Sequence, residues 1–164
     1  MSSPIPVVVA GALGRMGAEV IRAVLNAEDC HLVGAIDNTP GKEGVDVGLE
    51  LGIKELEVAV TADFEGCLCA VSQSVRNSNQ NAVLVDFTHP SVVFDHTRAA
   101  IAYGVHPVIG TTGLSPTQLN DLTEFSAKAS IGGAVIPNFS VGMVLLQQAA
   151  AAAARFYDLS LIHI

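Results

Sequence analysis

The sequence has no tryptophan and only two tyrosines and six phenylalanines in 164 residues, so its core must be built from aliphatic side chains. Basic residues are scarce: eight Lys and Arg stand against sixteen Asp and Glu, leaving a net charge of −8. A nucleic-acid binder needs a basic face to neutralise phosphates, so that class of partner is excluded. Charge of either sign is also sparse, at 15%, while half of the chain is apolar. Disorder needs the opposite balance, and a folded domain is expected. No apolar run approaches the ~20 residues of a bilayer span, so no membrane partner is expected. Met1-Ser2-Ser3-Pro4 lacks the basic and apolar regions of a secretory signal, and a soluble cytoplasmic protein is expected. The three cysteines, Cys30, Cys67 and Cys69, are too few and odd in number for a disulfide framework. Cys67 and Cys69 form a C-x-C with no second pair or neighbouring histidine, so reduced, packed thiols and no metal site are expected.

What is present is alternation. Short β-branched runs exchange with amphipathic stretches, the pattern of an α/β fold with a mostly parallel, doubly wound sheet. Strands are expected at Ile5–Ala10, His31–Ile36, Ala82–Asp86, Val105–Ile109 and Ala134–Ile136. Helices are expected at Arg15–Asn26, Ser91–Tyr103, Ser115 to about Lys128, and Val141–Tyr157. Ser91 and Ser115 read as caps, the latter followed by Pro116 at the first helical position, where a missing N–H costs nothing. Leu56–Val60 and Cys67–Val71 fit strand or helix, Gln73–Asn81 a solvated loop or short helix, and the glycine-punctuated stretch around Gly44, Gly48 and Gly52 a loop.

The strongest local signal is Val7-Val8-Val9-Ala10-Gly11-Ala12-Leu13-Gly14-Arg15-Met16-Gly17, which sets three glycines between the first strand and the first helix. Gly11 permits a tight turn, Gly14 lets backbone N–H groups approach a pyrophosphate, and Gly17 allows close helix–strand packing. The spacing is G-x-x-G-x-x-G rather than the commoner G-x-G-x-x-G. Arg15 is a cation in the first helical turn, where the helix dipole disfavours it unless it meets a phosphate. Asp37 ends the second strand, where a carboxylate can accept from a ribose hydroxyl or simply start an Asx turn. Together these elements point to a Rossmann-type dinucleotide site. Later strand ends carry Asp86-Phe87-Thr88-His89-Pro90, Gly110-Thr111-Thr112-Gly113 and Pro137-Asn138-Phe139-Ser140, placed to reach the same ligand or to cap the next helix.

Four motifs in order, Val9-Ala10-Gly11-Ala12 with Gly14-Arg15-Met16-Gly17, Asp86-Phe87-Thr88, Val108-Ile109-Gly110-Thr111-Thr112-Gly113 and Pro137-Asn138-Phe139-Ser140-Val141-Gly142, resemble the 4-hydroxy-tetrahydrodipicolinate (dihydrodipicolinate) reductase family. The resemblance runs from about residue 5 to 158. It implies hydride transfer from NADPH or NADH to a cyclic dicarboxylate in the diaminopimelate route to lysine, by a cytoplasmic homotetramer. It places Gly11, Ala12, Gly14, Arg15, Met16 and Gly17 on the pyrophosphate, and Asp37 on the adenosine ribose. Phe87, Thr88, Gly110, Thr111, Thr112, Pro137, Asn138 and Phe139 would line the nicotinamide side.

The resemblance also implies a substrate domain with a His-His-x-x-Lys segment, and no position here matches it. Residues 1–138 are expected to form the dinucleotide-binding domain, and 139–158 the hinge and first helix toward that substrate domain. Leu159-Ser160-Leu161-Ile162-His163-Ile164 breaks the preceding pattern and is expected to be an artefactual tail, with no catalytic residue in this chain. The alternative reading is a non-catalytic nucleotide-binding or sensor module.

Overall fold

The computed structural model describes residues 3–78, 80–136 and 138–156. Six strands, β1 (Ile5–Ala10), β2 (Cys30–Ile36), β3 (Val60–Thr61), β4 (Val83–Asp86), β5 (His106–Ile109) and β6 (Ala134–Val135), form one sheet. Between and after them run α1 (Arg15–Asn26), α2 (Val47–Glu50), α3 (Phe64–Ser78), α4 (Val93–Ala102), α5 (Pro116–Ala129) and α6 (Val141–Ala154). The strand order is β3-β2-β1-β4-β5-β6, and every neighbouring pair is parallel. This is the doubly wound order of the Rossmann fold.

Helices on both faces explain the continuous apolar strands. In β1, Val7 and Val9 join Ile21 and Val24 of α1, Ala35, Val47 and Val60 on one face. Val8 and Ala10 join Leu68, Val71 and Val75 of α3, with Leu84, Ala100 and Val105, on the other. The register is level at the carboxyl ends. Thr61, Ile36, Ala10, Asp86, Ile109 and Val135 pair in one row across all six strands. The loops that follow therefore leave the sheet side by side, and the order reverses between β1 and β4, where such folds bind ligands.

Several boundaries match the sequence expectation: β1 and α1 agree to the residue. Ser115 caps α5 through a capping box with Gln118, which explains the sharp start at Pro116. Cys67–Val71 takes the helical of its two expected forms, inside α3, and that helix also takes in Gln73 to Ser78. Other expectations are corrected. Leu56–Val60 contributes only Val60 to the two-residue β3, because the N–H groups of Leu56 and Val58 donate to the Asp46 carboxylate instead of to a neighbouring strand. The glycine-punctuated stretch contains α2, built on Asp46, whose carboxylate accepts from the N–H groups of Gly48, Leu49, Leu56 and Val58. Ser91 does not cap α4. The cap residue is Val92, without a side-chain bond, and the Ser91 hydroxyl pairs with Nδ1 of His89 at 2.8 Å.

The last helix stops at Ala154, with Arg155 as its C-cap, short of the expected Tyr157, while Tyr157 itself and the tail at Leu159–Ile164 lie outside the described residues. None of the α6 residues is buried, and Val141, Leu145 and Leu146 are well exposed. Among the described residues no helix is long and apolar enough to cross a membrane, and no cluster of ligating side chains could hold a metal ion.

Candidate functional site

At the end of β1 the chain turns within one residue. Gly11 has φ 76°, and the N–H groups of Gly11 and Ala12 both donate to the Ile36 carbonyl at 2.9 and 3.1 Å. Gly14 N–H then donates to the Gly11 carbonyl at 3.0 Å, closing the turn before α1. A Cβ on Gly11 would lie 2.5 Å from the Phe87 carbonyl oxygen, and one on Gly17 would lie 2.0 Å from the Gly11 carbonyl oxygen. Both contacts are with backbone, so larger residues cannot be admitted by moving a side chain. Gly14 meets only that same carbonyl, at 3.2 Å, and otherwise faces open space. It is also the N-cap of α1 and offers no side-chain bond, and the first turn carries no acidic residue. The first N–H groups of α1, which no helical carbonyl can reach, are left for an anion.

Asp37 is half-buried beside this turn and is tied to it. Its Oδ2 accepts from Leu13 N–H at 2.9 Å, while Oδ1 accepts from both the N–H and the hydroxyl of Thr39, at 2.9 and 2.6 Å. The Asx turn is thus real. Oδ1 has both lone pairs occupied, and Oδ2 retains room for one further donor.

Sequence reasoning missed the most elaborate polar group of the site. Asp86, at the end of β4, is fully buried. Its Oδ1 accepts from Thr88 N–H at 2.9 Å, the Thr88 hydroxyl at 2.7 Å and the Thr111 hydroxyl at 2.7 Å. Its Oδ2 faces Nδ1 of His96 at 2.9 Å. Burial pushes the Asp86 carboxyl up, but the bonds from His96, Thr111 and Thr88 outweigh it and hold the group below its ordinary value. The His96 ring stacks on Phe64 with centroids 3.9 Å apart. With Nδ1 committed to a carboxylate, its tautomer and orientation are fixed. A histidine ten residues beyond a strand-terminal aspartate, on the following helix, was the available signal.

Two cavities flank this seam. One, of about 390 Å³, is lined by Gly11, Asp37, Phe64, Thr88 and His96, with Asn38, Ala62 and the His89–Ser91 turn around them. The other, of about 340 Å³, is lined by Gly14, Arg15, Met16, Phe87, Thr88, Pro90, Gly110, Thr111 and Thr112. Thr88 borders both, so the pair reads as one groove across the carboxyl ends of β2, β1, β4 and β5. Met16 is on its wall and not in the core, being 48% exposed.

The remaining residues singled out from the sequence separate. Ala12 is fully buried under the turn and Gly17 packs against Gly11, and neither lines either of these two cavities. Thr111 spends its hydroxyl on Asp86. Phe139 stands beside Phe87 with ring centroids 5.4 Å apart. Asn138 turns its side-chain oxygen to the N–H of Ser140 at 2.7 Å, ahead of α6. Pro137 lies outside the described residues.

Comparison with known proteins agrees with this architecture. The family model described as "Dihydrodipicolinate reductase, N-terminus" matches residues 5–139. A 4-hydroxy-tetrahydrodipicolinate reductase of Synechococcus sp. (strain CC9902) is 96% identical over 158 residues, covering 96% of this chain and 57% of the relative. The dihydrodipicolinate reductase of Paenisporosarcina sp. TG-14, solved with dipicolinate bound, is 31% identical. It superposes with a TM-score of 0.69 over 94% of this chain and 55% of that one. The WlbA dehydrogenase of Thermus thermophilus, solved with NAD and alpha-ketoglutarate, shares the fold with a TM-score of 0.68. Its identity is 15%, over 90% of this chain and 47% of that one. The chain thus spans a little over half the length of the curated relatives it matches.

Proposed function

Since the chain belongs to the dihydrodipicolinate reductase family, matching its N-terminal part, we propose that it holds the NADH or NADPH of a 4-hydroxy-tetrahydrodipicolinate reductase. The reaction is the reduction of 4-hydroxy-tetrahydrodipicolinate to tetrahydrodipicolinate in the diaminopimelate route to lysine. The observation that carries the reading is the groove itself. Gly11 and Gly17 are packed to the limit, while Gly14 and the uncapped start of α1 leave backbone N–H groups free at the edge of the groove.

A dinucleotide fits the residues present. The N–H groups at the start of α1, with Arg15, would hold the pyrophosphate, and the free lone pair of Asp37 Oδ2 would accept from the adenosine ribose. Phe87, Thr88, Gly110, Thr112 and Phe139 would enclose the nicotinamide. Pro137 and Asn138 would complete that side by the family resemblance. The Asp86 network keeps the Thr88 and Thr111 loops in fixed register, so the enclosure is formed before the ligand arrives. When bound, the nicotinamide supplies a hydride. The dipicolinate held by the Paenisporosarcina relative supports a cyclic dicarboxylate as substrate class.

In the same reading, residues 1–138 are the nucleotide-binding unit. The stretch from 139 to 158 leads toward a substrate-binding part, in a cytoplasmic homotetramer. The family match favours this over a stand-alone sensor module. Titration calorimetry of the chain with NADH and NADPH tests the reading, with one site per chain expected. No heat or shift in melting temperature at about 1 mM of either dinucleotide, a concentration at which even a weak complex forms, overturns it.

A further inference from the structure

The cavity that holds Asp37 has no Lys or Arg in its lining. Arg15 belongs to the other cavity. The nearest cation along the chain is Lys42, and the backbone brings it close: Thr39 is bound to Asp37, and Lys42 N–H donates to the Thr39 carbonyl at 3.2 Å. Its side chain does not turn toward the cavity. Lys42 Nζ sits 2.6 Å from Oε1 of Glu50, with both side chains about one-third exposed. Glu50 stands on a rigid post. Its helix α2 is anchored by the four N–H bonds to Asp46 and by fully buried Val47. Gly48 packs so closely that a Cβ there would lie 2.1 Å from the Lys54 carbonyl oxygen. The other acid nearby, Glu43, is bound to the Thr61 hydroxyl and the Ala62 N–H, which keeps a second negative charge at this rim. The cavity's own titratable groups besides Asp37, His89 and His96, come from the β4–α4 side.

We propose that Glu50 is a positioning residue for dinucleotide choice. By holding Lys42 away from Asp37 it leaves the ribose end of the cavity without a counter-charge for a 2′-phosphate, so the protein selects NADH over NADPH. This rests on the nucleotide-binding reading above. It assigns Lys42 a latent role, since a lysine freed from its carboxylate is a flexible point charge suited to a phosphate.

Dissociation constants for NADH and NADPH, measured on the parent, Glu50→Gln, Lys42→Ala and the double variant, test it. The parent binds NADH more tightly. Glu50→Gln strengthens NADPH binding about three- to fivefold, the size of one exposed ion pair, and leaves NADH unchanged. Lys42→Ala alone changes neither, and in the double variant the gain disappears. Matching far-UV spectra and melting curves show that the variants are folded. An unchanged NADPH-to-NADH ratio in Glu50→Gln, a parent preference for NADPH, or a selective loss of NADPH binding in Lys42→Ala overturns the proposal while leaving the nucleotide site standing. Failure of the parent to bind either dinucleotide overturns both.

Discussion

Replacing Asp86 by alanine removes the acceptor for four bonds at once: two from Thr88, one from Thr111 and one from His96. The losses are unequal. Thr111 is itself buried, and its only other acceptor among the described residues is the Asp86 carbonyl at a long 3.4 Å, so its hydroxyl is left nearly unpaired. That costs about 1–3 kcal/mol. Thr88 and His96 border a cavity where water can replace part of what is lost, so they contribute less than a fully buried charge pair, for which breakage costs about 3–5 kcal/mol. A total near 3 kcal/mol follows. At about 2–4 °C per kcal/mol for a chain of this size, the melting temperature should fall by about 6–12 °C.

Asp86→Asn keeps an acceptor for the threonines and should lose about half as much. Its second signature is in pH. The carboxyl titrates lower in the folded than in the unfolded chain, so ionisation favours folding. That stabilisation is complete above the ordinary carboxylate value and is lost as pH falls through the lower, folded value. The asparagine variant should therefore show a shallower acid limb than the parent. Calorimetric melts at pH 7.5 and at steps from about pH 5 to 3 read both effects. An alanine variant melting within about 1 °C of the parent, or an asparagine variant with an unaltered acid limb, would refute the argument.

Two further outcomes can be checked on the same material. Gly17→Ala drives a methyl into the Gly11 carbonyl, 2.0 Å away, and backbone must move; we expect a melting temperature lower by at least about 5 °C and weakened NADH binding, and normal values for both would contradict the packing account. Burial and then the charge of Asp63 push the Cys67 thiol up to about 11, so peptide mapping after iodoacetamide treatment at pH 7.5 should find it alkylated at roughly one-hundredth the rate of an unfolded cysteine, or slower; labelling at the unfolded rate would be inconsistent with that environment.

Local chemistry explains which parts of the fold were legible in the sequence. The β1–α1 unit could be read to the residue because a β-branched run, glycines and a 3.6-residue apolar spacing each change at the same boundary. Ser115-Pro116 was readable for a similar reason: cap and first helical residue are both defined by side chains adjacent in sequence. Cys67–Val71 stayed open between strand and helix because a short apolar run buried on one side of a helix has no periodicity of its own. Helix α2 was hidden because what holds it is Asp46 reaching forward to Leu56 and Val58, a contact that sequence spacing does not announce. Ser91 looked like a cap, but His89 claims its hydroxyl. The site divides the same way. The glycines and Asp37 stand in one continuous stretch, whereas the Asp86–Thr111–His96 network is assembled from a strand end, a loop and a helix and exists only after the sheet has aligned them.

The central position of β1 carries a cost during synthesis. Its partner on one side, β2, follows directly after α1 at Cys30, but its partner on the other, β4, begins only at Val83. Once β3 has left the ribosome at Thr61, about 20 residues remain to be made before β4 exists, which takes about 1–4 s at ordinary elongation rates. For that interval the nascent sheet presents Val7, Val8 and Val9 along an unpaired edge. The half-made protein is then most open to strand capture by a neighbouring chain and most dependent on α3 arriving over the exposed face.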